Sequence, residues 1–551
     1  MADGKIKRAR MTGWFDPGVM ARTAAMLAAA NIFGRHSDTR LIEALGNQPQ
    51  GILDYSTAQG DFWIDYVADI GDGWNPTHAI ARAVAQPQLQ LDTPEGVTVT
   101  TSTGSLLIFG GDEVYPYPTR DRYAQNTEAP YLSAFAGLEQ RPDLFAIPGN
   151  HDWFDSLIAF SRSFCRPEKG FAGCRTRQTR SYFALRLPQD WWLLGIDLQL
   201  GADLDEPQVR YFQTVARELD GQSKIILCIP EPHWIYECAY PDQQSYQART
   251  LAYFESEVLA QPVTVFLTGD LHYYKRHADA SGVQKIVAGG GGAFLHPTHC
   301  PDTTLLREGF EERASYPSPR QSAGLSWRNL LFPALNPRAA LLPAVVYALS
   351  AWFASARLDL ADIETFQVAL HSALTVAVRD PFCGLWLIFV VGGLMFFTDT
   401  HSRVYRVLGG GLHAVAHLFA ALLLAWLAMR FTVAVLHLNY GQPLQMLVAG
   451  GLTFIGGAFV GSFLIGVYLL VSVGVFGRHY QEAFSSLRIQ DFKSWLRLRI
   501  TASGVLEAWA IGIDRVPRRW RREQRGAAET WVADDARATA PRVVDYFSVR
   551  R

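Results

Sequence analysis

Charged residues are scarce in this chain. Asp, Glu, Lys and Arg make up 19% of its 551 residues, whereas about 25% is usual for a soluble protein. The shortage is confined to one region, because charge nearly vanishes between residues 339 and 476, while residues 1–338 have the composition of an ordinary globular protein. A chain of this length also exceeds what one core normally holds. The composition therefore predicts a soluble domain joined to a membrane domain.

Paired cysteines, long basic blocks and a secretory leader are also missing. The six cysteines are scattered without a Cys-x-x-Cys pair, so nothing supports a zinc finger. No basic run is long enough to predict a nucleic-acid partner, and the locally basic stretch 515–525 is predicted to form a surface or juxtamembrane helix. The N-terminus lacks the apolar core of a signal peptide, and we expect the soluble part to face the cytoplasm.

Four apolar segments are candidates for membrane-spanning helices. About 20 apolar residues cross a bilayer, and a helix buried in a protein core is the alternative for the short second segment. Gly457 and Gly461 in the last segment form a Gly-x-x-x-Gly pair, which would allow close contact with another helix. The four segments are residues 339–356, 382–397, 410–429 and 446–476.

Positive charges around these segments favour one orientation. Arginine and lysine are most frequent before the first segment, between the second and third, and after the fourth. This distribution favours four spans with both termini in the cytoplasm. His413 and His417, one helical turn apart in the third segment, invite a proton or metal hypothesis. Their place near the start of that segment favours a wet interface position instead.

These features divide the chain into five parts. We expect an N-terminal helical extension, a soluble α/β domain, a linker, an α-helical transmembrane domain of about four spans and a cytoplasmic C-terminal region. In the last region, residues 482–500 look amphipathic and are predicted to be helical, and residues 511–516 are predicted to form a short strand. The five ranges are 1–45, 46–310, 311–338, 339–476 and 477–551.

Polar side chains follow several short apolar runs between residues 60 and 290. Apolar runs of this length, bounded by Gly or Pro, are typical of buried strands, and helix-like stretches separate several of them. The pattern predicts a mixed α/β sheet protein whose site lies at the carboxyl ends of the strands. Carboxylate, amide and imidazole groups without thiolates suit Mn²⁺, Fe or Zn²⁺. The polar residues at these strand ends are Asp69, Asp72, Asp112, Asn150, His151, Asp152, His233, Asp270 and His272.

The order GD…GNHD…H…G-x-x-H in these strand ends resembles the calcineurin-like metallophosphoesterase superfamily. The resemblance covers about residues 60–295, and the intact GNHD motif at Gly149–Asp152 is its most specific part. It implies a four-layer αββα sandwich for the domain 46–310 and a site that holds two divalent metal ions. It also implies a hydrolase that cleaves phosphomonoesters, phosphodiesters or pyrophosphates.

The resemblance assigns metal ligands residue by residue. Asp112 matches the carboxylate that bridges the two metals, and Asn150 matches the amide ligand of the second metal. His233 matches the lone histidine ligand. His272 matches the second histidine of the family's final GHxH motif.

Two positions depart from the family pattern. The family opens with DxH, whereas Asp69 here is followed by Gly71 in the place of the histidine. Asp69 is the predicted ligand, and Asp72 is predicted to replace the histidine in preference to His78. Asp270 stands where the first histidine of GHxH would be. Each exchange puts a carboxylate in place of a neutral imidazole, which favours harder metals such as Mn²⁺ or Mg²⁺ over Zn²⁺.

The resemblance also implies the chemistry. A hydroxide that bridges the two cations would attack phosphorus in line, and His151, which is not expected to bind metal, would assist the departing oxygen. Asp152 would orient His151 or support its loop. Arg120, Tyr273 and His296 are candidates for substrate binding. Arg120 could instead form a surface ion pair, Tyr273 could form part of the core wall, and His296 could lie on a loop outside the site.

We therefore expect a membrane-anchored, metal-dependent phosphohydrolase that faces the cytoplasm. Its expected substrate is phosphorylated, and a lipid-linked phosphate is one candidate. The two carboxylate exchanges motivate an alternative, a non-catalytic sensor that binds a phosphorylated ligand and regulates the membrane domain. The intact GNHD motif argues against the sensor, because a binding protein has no need of His151. A domain with a single structural metal is the third hypothesis, and metal counting would distinguish it.

Overall fold

The computed structural model describes residues 8–29, 50–198, 204–240, 246–355, 358–398, 402–525 and 528–550. The described part of the predicted N-terminal extension contains the helix Pro17–Ala29, and residues 30–45 lie outside the described residues. The chain folds into two compact units. The sheet unit comprises Met1–Thr12, Ala21–Ser322 and Arg488–Arg551, and the helical unit comprises Gly13–Met20 and Ala323–Leu487.

Short apolar runs rich in β-branched and aromatic residues form strands in the sheet unit, as their composition favours. In chain order the strands are β1 (Leu53–Asp54), β2 (Phe62–Val67), β3 (Gln88–Asp92), β4 (Thr98–Ser102), β5 (Leu106–Phe109), β6 (Asp143–Ala146), β7 (Arg175–Thr176), β8 (Phe183–Arg186), β9 (Trp191–Gly195), β10 (Lys224–Cys228), β11 (Val263–Thr268), β12 (Tyr274–Ala278), β13 (Gln284–Ala288), β14 (Glu311–Tyr316), β15 (Lys493–Ile500), β16 (Leu506–Ile513), β17 (Trp520–Arg525), β18 (Ala528–Ala533) and β19 (Arg542–Val549).

Two mixed sheets carry the fold of the sheet unit. One has the strand order β1-β8-β9-β10-β11-β13-β12-β14, and the other has the order β19-β16-β15-β2-β5-β6-β7. β2, β5 and β6 run parallel, as do β9, β10, β11 and β13. The predicted mixed α/β sheet protein is confirmed. The parallel strands bring their carboxyl ends, and the polar residues that follow them, to common edges.

Two apolar layers bury the faces of the seven-stranded sheet. Side chains in β5 alternate between them, because successive residues of a strand point to opposite faces. Leu106 and Ile108 join side chains of both large sheets in one layer. Leu107 and Phe109 join the helix Trp74–Val84 and other elements in the second layer. Burial on both faces is why this strand is a continuous apolar run.

The longest α-helices among the described residues lie in the helical unit. In chain order the described α-helices are Pro17–Ala29, Trp74–Val84, Arg120–Arg122, Ala129–Ala134, Ile158–Phe164, Glu206–Ala216, His233–Ala239, Tyr246–Tyr253, Pro319–Ser326, Phe332–Leu335, Leu341–Ser355, Phe366–Arg379, Pro381–Phe397, Arg403–Ala434, Pro443–Val475 and Tyr480–Leu487.

The C-terminal region contributes three strands to the seven-stranded sheet. β15 lies between β16 and β2, with Leu498 opposite Ile64. β16 covers the apolar part of the short strand predicted over residues 511–516. The helical unit is thus an insertion, since the chain leaves the sheet unit after Ser322 and returns to it at Arg488.

Two helix predictions in this C-terminal region are wrong. The predicted helix over residues 482–500 is a short helix, Tyr480–Leu487, followed by β15, which is buried almost throughout. The basic stretch 515–525 contains no surface helix; it ends in β17, which pairs with β18 in a separate hairpin. Pairing with another strand overrides the local pattern in both places, with the distant β2 for β15 and with the adjacent β18 for β17.

Two helices of the described chain are long and apolar enough to cross a membrane, Arg403–Ala434 and Pro443–Val475. The helices Phe366–Arg379 and Pro381–Phe397 meet at a bend of 100° and pass the same test only as a pair, which would make a third span. The apolar helix at Leu341–Phe353 is shorter. These assignments follow from length and composition alone, and the predicted four spans are not confirmed.

Candidate metal centre

The hydroxyl of Tyr115 lies at the centre of the candidate site. It is 2.9 Å from Oδ1 of Asp69, 3.0 Å from Oδ2 of Asp112 and 3.0 Å from Nε2 of His272. Nε2 of His272 is also 3.5 Å from Oδ1 of Asp69. All four side chains are buried. The loops after β2, β5 and β11 therefore bring three predicted metal ligands together around one tyrosine.

Left-handed backbone after the strands holds the carboxylates in place. Asp69, Asp112 and Asp270 have φ angles of 59°, 54° and 68°, a conformation that costs a non-glycine residue about 1 kcal/mol or more. The N–H of Asp69 donates to the carbonyl oxygen of Gly111 over 3.0 Å, which ties the first two loops together. Such strained residues persist where the surrounding structure fixes them, and they are concentrated at functional sites.

Glycines make room for the carboxylates. A Cβ at Gly149, the first residue of GNHD, would lie 2.1 Å from Oδ1 of Asp112. A Cβ at Gly289 would lie 2.4 Å from Oδ2 of Asp69. Neither position could carry a side chain without moving a carboxylate out of the site.

The imidazole of His272 is fixed in one tautomer. Its Nδ1 is 2.7 Å from the carbonyl oxygen of Phe294, so Nδ1 carries a proton and donates to that oxygen. Nε2 then presents its lone pair to the hydroxyl of Tyr115. Burial, with His296 and Lys493 nearby, holds the pKa of His272 well below its usual range. A neutral imidazole oriented through its other nitrogen is the usual form of a histidine ligand.

Three acceptors converge on a hydroxyl that has one proton. Tyr115 can donate to only one of Asp69, Asp112 and His272, so the others need a proton of their own or a cation. Burial and the charges of Asp112 and Asp270 raise the pKa of Asp69 well above its usual range. Burial and the charge of Asp152 raise the pKa of Asp112 to about 8. The cluster is therefore short of positive charge.

The amide oxygen of Asn150 has no hydrogen-bond partner among the described residues. Its Oδ1 is buried and accepts no hydrogen bond within the described part of the chain, and leaving a buried acceptor unpaired costs about 1–3 kcal/mol. The next residue, His151, donates its N–H to Oδ1 of Asp112 over 2.9 Å. Asn150 thus directly precedes a residue whose N–H Asp112 accepts, and its orphaned oxygen is a candidate ligand.

His151 and Asp152 have different surroundings. Nδ1 of His151 is 2.8 Å from the carbonyl oxygen of Pro116, and its ring lies 4.5 Å from that of Tyr115, between centroids. Oδ2 of Asp152 accepts the N–H groups of Gly149, over 2.8 Å, and Glu113, over 3.3 Å. These contacts correspond to the second of the two roles predicted for Asp152, the support of the GNHD loop.

Asp270 lies at the edge of the cluster. Its N–H is 2.9 Å from Oδ2 and 3.1 Å from Oδ1 of Asp69, and its own Oδ2 accepts the hydroxyl of Tyr236. Burial and the charge of Asp112 raise the pKa of Asp270 to about 7. Asp270 is therefore coupled to both carboxylates that contact Tyr115.

His233 is less closely associated with the cluster. It begins the helix His233–Ala239, and its ring packs edge-on against Trp234 at 5.1 Å between centroids. Among the described residues, no hydrogen bond joins its imidazole to Asp112 or Asp270. Burial and the charge of Lys285 lower the pKa of His233 to about 3, so the ring is neutral.

Asp72 is engaged by backbone groups outside the Tyr115 cluster. Its Oδ1 accepts the N–H of Thr12 over 2.9 Å, and its Oδ2 accepts the N–H of Phe294 over 3.2 Å. These bonds tie the N-terminal segment and the loop after β13 to the turn after β2. Its role as a metal ligand stays a prediction.

Gly71 explains why the chain has no histidine at this point of the motif. Its φ is 77°, and a Cβ there would lie 2.4 Å from the carbonyl oxygen of Glu113. His78 is not a replacement within the cluster, since its two ring nitrogens lie 2.9 Å and 3.0 Å from the carbonyl oxygens of Pro130 and Trp531.

The three candidates for substrate binding lie in different environments. Arg120 is exposed at the start of a short helix. Tyr273 is buried, with 2% of its surface exposed. The ring of His296 stacks on that of His272 at 3.9 Å between centroids, which puts His296 in direct contact with a predicted ligand.

Sequence patterns assign no role to two residues of the site, Tyr115 and Lys493. Tyr115 lies three residues after Asp112 in the same loop, and this closeness to a predicted ligand is the one sequence feature that indicates a place in the site. Lys493 is buried in β15, and its Nζ donates to the carbonyl oxygen of Ala293 over 2.5 Å. Burial lowers the pKa of Lys493 to about 7. No local signal marks Lys493, because its partner lies 200 residues earlier in the chain.

The groups around Tyr115 suit a hard cation in type, since such cations prefer oxygen ligands. The hydroxyl of Tyr115 lies at hydrogen-bond distance, 2.9 or 3.0 Å, from each of its three neighbours. Over the described ranges, however, no three His, Cys, Asp or Glu side chains are arranged to hold a metal ion by themselves. The phenol oxygen stands between them, so a cation there would need it as a fourth donor.

Comparisons with known proteins show partial likenesses of fold. No family model and no curated protein matches the sequence. GAP50, the anchor in the inner membrane complex of Plasmodium, is 11% identical with a TM-score of 0.31, over 43% of this chain and 74% of its own. Purple acid phosphatase PPD1 from yellow lupin (Lupinus luteus) seeds is 12% identical with a TM-score of 0.31, over 46% and 48%. PhoD is 10% identical with a TM-score of 0.27, over 44% and 59%.

Proposed function

We propose that the sheet unit is a metal-dependent phosphohydrolase. The observation that carries the proposal is the convergence of Asp69, Asp112 and His272 on the single hydroxyl of Tyr115, which has one proton to donate among the three buried groups. A cation held by these three groups and the phenol oxygen would stabilise both carboxylates in their charged form. The orphaned Oδ1 of Asn150, beside Asp112, supports a second cation position.

The donor set indicates the kind of metal. Carboxylate, phenol and amide oxygens outnumber the imidazole nitrogens, which favours Mn²⁺ or iron over Zn²⁺. When bound, such a cation supplies a Lewis acid for phosphate oxygens and a coordinated water of lowered pKa. Asp270, His233 and Asp72 complete the proposed set of ligands.

His151 is the proposed proton donor to the leaving group. Its backbone N–H donates to Asp112, and its Nδ1 donates to the carbonyl oxygen of Pro116. Because Nδ1 keeps its proton in both charge states, the proton given to a departing oxygen would come from Nε2. The carboxylate of Asp152 fixes the loop that carries this histidine.

We further propose that the helical unit anchors the enzyme in a membrane, with the sheet unit in the cytoplasm. The long apolar helices Arg403–Ala434 and Pro443–Val475 support an anchor. An anchored hydrolase meets substrates at the membrane surface at high local concentration. The proposed substrate is therefore a phosphate ester or pyrophosphate at the membrane, with a lipid-linked one as the specific form to test.

Metal content and turnover of the purified full-length protein test the proposal. The protein would be stripped with a chelator, reloaded with Mn²⁺, and assayed with an aryl phosphate, an aryl phosphodiester and a lipid pyrophosphate. We expect close to two metals per chain, and a loss of turnover of about 100-fold or more in Asp112→Asn. Asp220→Asn, the same change at an exposed position, is the control. Metal-loaded protein without turnover on any of these substrates would contradict the proposal that the sheet unit is a phosphohydrolase.

One observation favours the non-catalytic sensor as a second candidate. The hydroxyl of Tyr115 lies at hydrogen-bond distance from Asp69, Asp112 and His272, and the raised pKa values of the two carboxyls let them carry protons of their own. The centre can therefore be held together without a cation. Tyr115→Phe separates the two functions. If the phenol oxygen is a ligand, the variant loses Mn²⁺ affinity by about tenfold or more. If the phenol group instead occupies the position of a metal, the variant binds Mn²⁺ as well as or better than the wild type.

A further inference from the structure

An apolar cavity that is partly open to the surface lies in the helical unit. Its volume is about 650 Å³, in the range of sites that hold small ligands. The helices Leu341–Ser355 and Pro381–Phe397 supply much of its wall, and Phe15, Pro17 and Met20 of the N-terminal segment line it as well. Two chain segments that are far apart in sequence therefore line one apolar space.

The polar groups in the wall are engaged with one another. Tyr347 and His417 line the cavity, but the hydroxyl of Tyr347 is 3.0 Å from Nδ1 of His417. Nε2 of His417 is in turn 2.9 Å from Nε2 of His413. The wall consequently offers little to a polar ligand, whose own groups would lose their water without compensation. Hydrocarbon is the chemistry that fits the interior.

A positive charge lies beside the cavity. Leu341, the first residue of its helix, and Ala339, in the turn before it, line the cavity, and Arg338 directly precedes Ala339. The side chain of Arg338 is 82% exposed, and its Nη1 pairs with Asp16 at 2.6 Å. A guanidinium has five N–H donors and matches phosphate oxygens in geometry. Most of the donors of Arg338 stay available to an anion.

Exposed apolar side chains surround the same region. Leu341, Leu342 and Phe389 line the cavity and are 56%, 64% and 67% exposed. Large exposed apolar patches mark contact with lipid or with another protein. A hydrocarbon interior, an apolar rim and an adjacent guanidinium together match a molecule with an acyl chain and an anionic phosphate.

We propose that the helical unit binds one anionic phospholipid, with an acyl chain in the cavity and its phosphate on Arg338. The proposal rests on the proposed membrane anchoring of this unit and is independent of the proposed hydrolysis. The lipid is a bound ligand rather than a substrate, since all the residues that hold it belong to the helical unit. Failure of the lipid site would leave turnover of phosphate esters unchanged.

Two adjacent glycines offer matched variants for the cavity. Gly393 lines the cavity whereas Gly392 does not, and a Cβ at either position would meet nothing within 4 Å. Gly393→Trp would fill the space, and Gly392→Trp adds the same bulk elsewhere on the helix. Full-length protein in detergent would be incubated with phosphatidylglycerol or phosphatidylcholine of identical chains. Native mass spectrometry would then count the lipids that stay bound.

We expect one tightly retained phosphatidylglycerol per chain in the wild type and in Gly392→Trp. Gly393→Trp should retain it at least about tenfold less well, and Gly393→Leu, a smaller change in case tryptophan disturbs folding, should give an intermediate loss. Equal retention in the two tryptophan variants would overturn the cavity as the binding site. It would show that the lipid is bound only on the outer surface.

Arg338→Gln tests the phosphate contact separately. It should weaken retention of phosphatidylglycerol and leave the weaker retention of phosphatidylcholine unchanged. Arg328→Gln, a change at another exposed arginine of the helical unit, is the control. If the two arginine variants behave alike, or if phosphatidylcholine is retained as well as phosphatidylglycerol in the wild type, the anionic part of the proposal is wrong.

Discussion

At the scale of single residues, Gly71 decides which side chain can follow Asp69. A Cβ there would lie 2.4 Å from the carbonyl oxygen of Glu113 and 2.5 Å from Oγ1 of Thr127. We expect Gly71→His to lower the free energy of unfolding by about 3 kcal/mol or more, through overpacking and left-handed strain together. Gly60→His is the matched control, because Gly60 has a φ of 78° and open space around it.

The control isolates the backbone cost, about 1–2 kcal/mol for a side chain in this conformation. Chemical denaturation of the two purified variants would measure the difference. Equal losses in both would contradict a steric reason for the absence of histidine at Gly71.

His277 gives the stability of the sheet unit a dependence on pH. It is buried in β12, with Nε2 2.7 Å from the carbonyl oxygen of Thr303. Burial, with Lys275 nearby, lowers its pKa to about 4, against about 6.5 in an unfolded chain. The unfolded chain therefore takes up the proton first as the pH falls. The free energy of unfolding is therefore highest above about pH 6.5 as far as His277 is concerned. It falls between about pH 6.5 and pH 4, by up to about 1.4 kcal/mol per pH unit.

Denaturation at pH 7, 6 and 5 would follow this loss. His277→Gln keeps an N–H donor for Thr303 and cannot be charged, so the decline with acid should be shallower than in the wild type. A decline of unchanged slope in the variant would assign the acid sensitivity to other groups.

Residue types at strand ends were sufficient to predict much of the cluster. Asp69, Asp112 and His272 were all named from their places after apolar runs, and the structure brings them to one point. The position of the Tyr115 hydroxyl could not be predicted, because it depends on the path of a loop. Lys493 could not be predicted either, since the strand that carries it joins the sheet from the far end of the chain.

At the scale of elements, a glycine pair sets the contact between two helices of the helical unit. A Cβ at Gly457 would lie 2.6 Å from Cβ of Tyr347, and a Cβ at Gly461 would lie 2.5 Å from Cβ of Pro343. The Gly-x-x-x-Gly pair thus faces the helix Leu341–Ser355. We expect Gly457→Leu to separate the helices and to destabilise the protein by about 1–3 kcal/mol.

Gly450→Leu is the control for this change, because it lies on the same helix and a Cβ there would meet nothing within 4 Å. Thermal unfolding in detergent would compare the two. A Gly450→Leu variant that is as unstable as Gly457→Leu would show that added bulk, and not the helix contact, is responsible.

Strand β15 shows why elements are harder to predict than residues. Its Lys and Arg residues were counted among the charges that follow the last span, yet Arg497 is fully buried and pairs with Asp65 of β2 at 2.8 Å. A charged residue inside a central strand is stable only with such a partner. That partner lies 432 residues earlier, so no local pattern could distinguish β15 from an amphipathic helix.

At the scale of the whole molecule, the helical unit should be removable. The N–H of Thr298 donates to Oγ of Ser322 over 3.0 Å, and the N–H of Leu295 donates to the carbonyl oxygen of Ile489 over 3.1 Å. Thr298 and Leu295 are three residues apart, at most about 11 Å. Both ends of the insertion are therefore held close together within the sheet unit.

In a shortened chain, a flexible linker of about eight residues, spanning about 15 Å, would replace residues 323–487. We expect this chain to be soluble without detergent and to keep its sheet content, as measured by circular dichroism. A chain that ends at Ser322 lacks three strands of the seven-stranded sheet and should be insoluble. Insolubility of both chains would show that the sheet unit needs the helical unit in order to fold.

The insertion also fixes the order in which the protein can mature on the ribosome. β2 lies between β5 and β15 in the sheet. β5 is synthesised soon after β2, whereas β15, which pairs with the other edge of β2, is synthesised much later. About 165 residues of the helical unit must be synthesised in between, which takes roughly 8 to 30 s at typical rates of elongation. Throughout that interval Asp65 is without Arg497, and the sheet has an open edge. A nascent chain that stops before its anchor is complete lacks the strands that close its site.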